Sequence, residues 1–470
     1  MLPADPLVPG ADILTAAQMR AAEQALFDNG ISVAALMDRA GRGAADYVWR
    51  IAGPNRRVTV LAGPGNNGGD GWVIARAIAE RGGRVQVVMA SAPTSEAARE
   101  ARRAFEGHVV EASEAVEGDV LVDCLYGTGL SRALLPADLV LLQGLATRHR
   151  YRIAVDLPSG VEADGGGDFG QNLPRYDLTL ALGAWKRAHG LMPAMARMGA
   201  LRLVEIGIAS VAGAGRMLAG IHIDPPAPDA HKYTRGLLGV VAGEMPGAAL
   251  MAARAAGGAG AGYVQLLSDQ ALAVPSDLVV KPARHSCDPR YTVILNGPGL
   301  GRDDAARHLL EERIAGRGTM PQVIDGDALS MLTPGMTQHS GHIIATPHEG
   351  ELARLEKAFG ESGKGSKVER ALAMARHLGT VVAKGPDTVI AEADGRWAMV
   401  PQASSWLSVA GSGDVLAGII ASRWAVMEYH PFEAACQGVW LHGRAADLLK
   451  GPFTAMALAD AVPLALKQCL

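Results

Sequence analysis

The sequence predicts an α/β protein of two domains, and three observations carry that prediction. Its 470 residues exceed what a single core ordinarily holds, since domains run to roughly 100–200 residues. Short apolar strands recur along the chain, each ended by a glycine-bearing loop and several followed by a helical stretch, which is the pattern of parallel sheets with crossover helices. Between Gly207 and His231 that alternation stops. Small residues there lead into Asp224-Pro225-Pro226-Ala227-Pro228, which continues neither a helix nor a central strand. A boundary near residue 218 follows, with domains 1–218 and 219–470.

The elements follow in order. Thr15 with Gln18 forms a capping box for a first helix that carries Met19, Ala22 and Leu26 on one face and ends at Asn29-Gly30. A second helix starts at Ser32 and runs through Leu36-Met37 and Arg39-Ala40-Gly41-Arg42-Gly43. Strands are then expected at 58–62, 85–89, 120–123, 153–156 and 178–182, with a helix from Trp72 to Arg81. Past the boundary, strands are expected at 238–242, 263–267, 293–296, 323–325, 343–345, 381–384 and 389–392. The two halves share a style without an internal repeat.

Composition narrows the function. The formal net charge is -4 and charged residues are 20% of the chain, so neither a nucleic-acid partner nor an acidic tail is indicated. The four cysteines, Cys124, Cys287, Cys436 and Cys469, form no CxxC pair, which points away from a disulfide framework or a zinc site and toward a reducing compartment. No targeting segment stands at Met1–Gly10, and the most apolar stretch, 248–267, is broken by Arg254 and glycines, so no membrane span is expected. A cytoplasmic small-molecule enzyme, expected to be a homo-oligomer, fits these limits.

The first constellation follows the strand at 58–62: Gly63-Pro64-Gly65-Asn66-Asn67-Gly68-Gly69-Asp70-Gly71. Such a loop lets backbone approach a ligand, and the next helix favours an anion at its N-terminus. Asp123-Cys124-Leu125-Tyr126-Gly127-Thr128-Gly129-Leu130 and Asp156-Leu157-Pro158-Ser159-Gly160 leave strand ends in the same way. Loops at the carboxyl ends of an open sheet converge on one crevice, so Asn67, Asp123, Asp156 and Ser159 can meet there. Oxygen-rich groups of this kind suit a hard cation or a hydroxylated ligand. Taken one at a time, the aspartates are better explained as helix caps or turn formers; together they are more than caps.

The second constellation is Ala410-Gly411-Ser412-Gly413-Asp414-Val415-Leu416-Ala417-Gly418. A glycine-rich turn before an apolar helix presents free amides to a transferring phosphate, and Asp414 stands where it can take a proton from an attacking hydroxyl. Lys384-Gly385-Pro386-Asp387-Thr388, Ala345-Thr346-Pro347-His348-Glu349-Gly350-Glu351 and Gly297-Pro298-Gly299-Leu300-Gly301 all follow strands and face the same crevice.

These segments resemble two families in turn. The first half is similar to the NAD(P)H-hydrate epimerase family, through 62–71, 122–130, 154–160 and the Leu36-Met37-Asp38-Arg39-Ala40-Gly41 helix. The resemblance implies a Rossmann-like three-layer α/β/α fold and a potassium ion on Asn67, Asp123 and Ser159. It also implies substrate contacts from Asn66, Asn67, Gly68, Gly69 and Asp70, from Gly127, Thr128, Gly129, Leu130, Ser131, Arg132 and Ala133, and from Asp156, the candidate acid/base, whose carboxyl would work best with an upward pKa shift. Lys186 is the candidate to hold phosphate or assist. The second half resembles the ribokinase-like ADP- or ATP-dependent NAD(P)H-hydrate dehydratase family over residues 230–450, including Val323-Ile324-Asp325-Gly326-Asp327-Ala328-Leu329.

That second resemblance implies that Ala248, Gly299, His348 and Asp414 touch the hydrated nicotinamide nucleotide. Lys384, Gly385, Pro386, Asp387, Thr388 and Gly413 would hold ADP or ATP, which arrives with Mg2+, and Asp414 would be the base. The substrates implied are NADHX and NADPHX. Two departures stand out: Pro401-Gln402-Ala403-Ser404-Ser405-Trp406 replaces a glycine/asparagine-bearing approach, and Ser412 occupies a place where threonine is commoner. The rival reading is a ribokinase-like small-molecule kinase fused to a non-catalytic Rossmann-like binding or dimerisation module.

Overall fold

Thr15 opens the first helix, Ala16–Asp28, by accepting the Gln18 N–H while the Gln18 side chain accepts the Thr15 N–H at 2.9 Å, so the expected capping box is formed. Ser32 caps the second helix, Val33–Ala52, whose buried face carries Leu36, Met37, Ala40, Gly41, Ala44, Ala45 and Val48. The computed structural model describes residues 7–112, 116–315, 320–338, 343–428 and 430–470. They fall into two units, Ala11–Ala214 on the one hand and residues 7–10 with Gly215–Leu470 on the other.

The sheet of the first unit is parallel throughout, in the order His108–Glu111, Arg84–Met89, Arg57–Ala62, Gly118–Cys124, His149–Val155, Leu178–Leu182, Ala200–Val204. The five strands expected from apolar runs are its centre. The two edge strands expose every other residue or more, so they lack the continuous apolar signal of a strand buried on both faces. Helix Val33–Ala52 packs on helix Asn66–Glu80, where a Cβ on Gly41 would overlap Val73.

In the second unit the order is Val279–Lys281, Tyr263–Leu267, Leu237–Val241, Val293–Asn296, Gln322–Ile324, Ile343–Ala345, Gly379–Ala383, Val389–Glu392, Trp397–Met399, Gly215–Ile221. All pairings are parallel except those on either side of Val389–Glu392. Helices Pro246–Gly258, Ser412–Met427 and Pro431–Leu449 cover one buried layer of this unit's core. Gly418 allows the close helix crossing there, since a Cβ would run into the Ala252 carbonyl. No helix among the described residues is long and apolar enough to cross a membrane.

Both sheets have a switch point. Arg57–Ala62 has Arg84–Met89 on one side and Gly118–Cys124 on the other, and Leu237–Val241 lies between Tyr263–Leu267 and Val293–Asn296. At such a strand, successive crossovers go to opposite sides and leave a crevice beyond the carboxyl ends. The glycine run 63–71 leaves the first of these strands, and the loops that accompany the second constellation leave Val293–Asn296, Ile343–Ala345 and Gly379–Ala383.

Candidate active sites

In the first unit the helix after Arg57–Ala62 begins at Asn66, with Gly65 as its cap, and not at Trp72 as the glycine run suggests. Asn66 through Asp70 are therefore its first turns. The glycines are there because the helix lies tightly against its surroundings: a Cβ on Gly68 would collide with the Gly63 carbonyl, and one on Gly69 with Met37. The amides of this first turn remain available, as those of any helix start do.

Asp123 and Ser159 meet at the ends of adjacent strands. Asp123 Oδ1 accepts Ser159 Oγ at 2.7 Å and the Leu125 N–H at 3.1 Å, while Oδ2 accepts the Ser159 N–H at 3.0 Å and Tyr176 OH at 2.5 Å. Burial draws the Asp123 carboxyl upward against these four donors, and it pushes the Tyr176 hydroxyl well above its ordinary range. Asn67 differs, because both its Oδ1 and Nδ2 are buried with no hydrogen-bond partner. A buried amide left in that state costs roughly 1–3 kcal/mol, which marks it as a group waiting for a ligand.

Asp156 sits beside them in the left-handed region, at φ 66°, a conformation uncommon for non-glycine residues that aspartate tolerates better than most. Its Oδ2 accepts the Thr128 N–H at 2.7 Å and Thr128 Oγ1 at 2.5 Å, and its Oδ1 lies 2.6 Å from Lys186 Nζ. Burial would raise the Asp156 carboxyl, but Lys186 and the Thr128 donors outweigh it and hold it below the usual range. The upward shift expected from the sequence is thus found elsewhere, on Asp70, which burial together with Asp156 and Glu23 pushes well above the ordinary carboxylate. Gly127 is needed by this cluster, since a Cβ there would stand 2.7 Å from Asp156 Oδ2 and 3.2 Å from Asn67 Cγ.

Lys186 is buried, not solvated. Its Nζ also donates to the carbonyls of Leu182 at 2.7 Å and Ala184 at 3.2 Å, and strand pairing sets Leu14 opposite it. His189 seals the arrangement: its Nδ1 accepts the Lys186 N–H at 2.9 Å, and its Nε2 meets the Asp156 carbonyl at 2.8 Å. Burial lowers the His189 imidazole to about 4, so it is neutral and its Nε2 carries the proton. Asn66 turns out to Ser95, whose Oγ it accepts at 2.7 Å, and Ser131, Arg132 and Ala133 are exposed.

In the second unit Gly411, at φ 89°, turns the chain into helix Ser412–Met427, and Asp414 lies in its first turn. Burial and the carboxylate of Asp325 raise Asp414 to about 6, with Asp327 and Glu351 adding to the rise and Lys384 opposing it. Lys384 Nζ is 2.6 Å from Asp325 Oδ1, which also accepts Thr346 Oγ1 at 2.6 Å. A Cβ placed on Gly413 would be 3.5 Å from that same Nζ, so the lysine stands over the helix start. Ala248 and Gly299 come together through Met245, whose N–H donates to the Gly299 carbonyl and whose carbonyl accepts the Ala248 N–H.

Three predicted residues have structural work as well. His348 caps helix Glu349–Phe359: Nδ1 accepts the Gly350 N–H at 3.0 Å, while its own N–H goes to Glu351 Oε2 at 2.8 Å. Its ring is nevertheless more than half exposed. Asp387 pairs with Lys367 at 2.6 Å, and Thr388 Oγ1 closes the turn onto the Gly385 carbonyl. Within Lys384–Thr388 it is the lysine, not the aspartate, that faces Asp414.

The sequence that carries these residues is similar to known proteins over most of its length. A model of the family described as NAD(P)H-hydrate dehydratase matches residues 238–465, and one of the YjeF-related protein N-terminus matches 33–188. The bifunctional NAD(P)H-hydrate repair enzyme Nnr of Gloeobacter violaceus is 33% identical over 500 residues, covering 97% of this chain and 96% of that one. The chain belongs to the bifunctional NAD(P)H-hydrate repair enzyme family. The Nnr proteins of Moorella thermoacetica and Coxiella burnetii are each 32% identical, covering 88% and 92% of this chain and 87% and 93% of theirs. Among solved structures, an ADP/ATP-dependent NAD(P)H-hydrate dehydratase from Bacillus subtilis, co-crystallized with ATP/Mg2+, is 27% identical over 53% of this chain and 95% of that chain, with a TM-score of 0.47.

For a repair enzyme of this family, the sequence reading left out the partners that set the charged groups. Thr128, expected as a substrate contact, also donates twice to Asp156. Tyr176, which donates to Asp123, follows no motif and could be found only from the fold, while Thr346, inside the quoted 345–351 segment, donates to Asp325.

Proposed function

We propose that the first unit epimerises the R and S forms of hydrated NADH and NADPH at C6, and that the second dehydrates the S form at the expense of ADP or ATP. The observation that carries the reading is the presence, in a chain of this family, of two separate crevices with opposite acid/base settings. Asp156 is held as an anion by Lys186 and Thr128, while Asp414 is raised to about 6 by burial among carboxylates.

In the first crevice, C6 of the substrate carries a hydroxyl next to the ring nitrogen. Departure of hydroxide leaves a cation stabilised by that nitrogen, and water returning to the other face inverts the centre. Asp156 is the group that holds and returns the proton, with Lys186 fixing its charge. Asn67, Asp123 and Ser159 would hold potassium. The orphaned amide of Asn67 and the carboxylate and hydroxyl of the other two supply oxygen donors of the kind a hard cation takes. The ion would supply a fixed positive charge near the substrate.

In the second crevice, hydroxide is a poor leaving group, so the hydroxyl is first phosphorylated. Asp414 takes the proton of the 6-hydroxyl as its oxygen attacks the terminal phosphorus, releasing AMP from ADP or ADP from ATP. The amides of Gly411 and Gly413 and the Lys384 ammonium stabilise the transferring group, while the Ser412 N–H is engaged by the Val409 carbonyl. Phosphate then leaves C6, a proton leaves C5, and the C5–C6 double bond of NAD(P)H returns. Mg2+ accompanies the nucleotide, whose phosphates lie toward Lys384–Thr388, and Ala248, Gly299 and His348 contact the hydrate. Buried free thiols at Cys124, Cys436 and Cys469 accord with work in the cytoplasm.

The test supplies mixed hydrate epimers with ADP or ATP and follows recovery of reduced cofactor and free phosphate. Full recovery from both epimers is expected. A stable phosphorylated product without NAD(P)H would identify a kinase instead.

A further inference from the structure

A buried histidine from another helix reaches the turn at 411–413. His442, on helix Pro431–Leu449, is buried and places its Nε2 3.0 Å from the carbonyl oxygen of Ser412. That carbonyl belongs to the same peptide unit as the Gly413 N–H, the amide assigned above to the transferring phosphate. Two further bonds fix the turn, from the Ser412 N–H to the Val409 carbonyl at 3.2 Å and from Ser412 Oγ to the Leu407 carbonyl at 2.8 Å. Neither touches the 412–413 peptide oxygen.

We propose that His442 is a positioning residue for phosphoryl transfer, acting by donating an Nε2 hydrogen bond to the Ser412 carbonyl and so orienting and polarising the peptide whose N–H is the Gly413 donor. A carbonyl that accepts a hydrogen bond gives its own amide N–H more positive character, and such linked bonds strengthen one another in a low-dielectric site. Burial pushes the imidazole down to about 4, with the Lys384 charge acting in the same direction. The ring is therefore neutral at working pH, and a neutral ring that bonds a carbonyl through Nε2 must carry its hydrogen there. The geometry also explains a histidine in the middle of an otherwise apolar helix face, between Leu441 and the buried Ala445 and Ala446.

This inference rests on the reading of Asp414 as the phosphoryl-transfer centre, and the experiment separates the two. In the full chain, His442→Phe keeps bulk and removes the donor, while His442→Gln puts an amide N–H where Nε2 was. The expected result is a fall of about 10- to 100-fold in dehydration kcat for His442→Phe, with KM for hydrate and nucleotide moving less than about threefold. Epimerisation should be unchanged, and His442→Gln should recover most of the lost kcat. Equal kcat in the two variants, or a loss confined to KM, would overturn the proposal. Should the phenylalanine variant fail to fold, 15N spectra of histidine-labelled wild type decide: the Nε2–H tautomer is expected for His442 between about pH 6 and 8, and an Nδ1–H tautomer or an imidazolium would overturn it. Asp414→Asn is the reference, for if it retained dehydration the site reading itself would fail, whatever His442 does.

Discussion

Asp156 and Lys186 meet 2.6 Å apart with the lysine side chain 1% exposed and the aspartate 11% exposed. Such a pair is worth little as a stabilising device, yet breaking one half of it strands a charge in the interior at a cost of about 3–5 kcal/mol. Asp156→Asn is therefore expected to lower epimerisation by at least about a hundredfold and also to loosen Ala11–Ala214. Adding Lys186→Met should restore the stability and not the activity. Hydrogen exchange of this segment, read beside the rate of interconversion of the two hydrates, distinguishes the effects. Recovery of activity in the double variant would show that Asp156 is structural.

Asp414→Asn should lower dehydration by roughly 10²- to 10⁴-fold and leave epimerisation intact, because the two carboxylates belong to separate units. Chiral chromatography of the hydrates, run with the dehydration assay on the same preparation, measures both. Parallel loss of the two activities would contradict independent sites.

Much of this was legible in the sequence, and the reasons are specific. The central strands of both sheets are buried on both faces and read as unbroken apolar runs, so 58–62 and 238–242 are visible without a structure. The edges carry exposed residues that break the apolar run, and they were missed at His108–Glu111 and Ala200–Val204. Glycine was the main source of error: in Asn66–Gly71 it reads as a loop, whereas its task is to let a helix approach Gly63 and Met37. Residue types at the sites were readable because chemistry demands them, but their electrostatic settings were not. The lowered carboxyl of Asp156 depends on Lys186, 30 positions away in sequence by its numbering, and that contact exists only once the strands are paired.

Asn67 leads to a prediction about potassium. If its unpartnered amide completes the ion site with Asp123 and Ser159, exchanging potassium for tetramethylammonium should slow epimerisation, and Asn67→Leu should slow it by at least about tenfold while removing the dependence on potassium. Dehydration, measured on the S hydrate alone, should be indifferent to both changes. An Asn67→Leu enzyme that still responds to potassium would place the ion elsewhere.

The two activities should also part company with pH. Asp414 must be ionised to accept a proton, and its carboxyl is raised to about 6 by burial and by Asp325. Dehydration kcat is therefore expected to be level above that value and to fall about tenfold per unit below it. Asp156 is held below the ordinary carboxylate range, so epimerisation should show no acid break near 6. Lys384 opposes the rise of Asp414 and pairs with Asp325. Its replacement in Lys384→Met should thus move the dehydration break upward in pH as well as lower the plateau, since the transferring phosphate loses a cation. Pre-steady-state rates over the pH range give break and plateau separately. A lowered plateau with an unmoved break would mean that Lys384 serves the phosphate without setting the charge of Asp414.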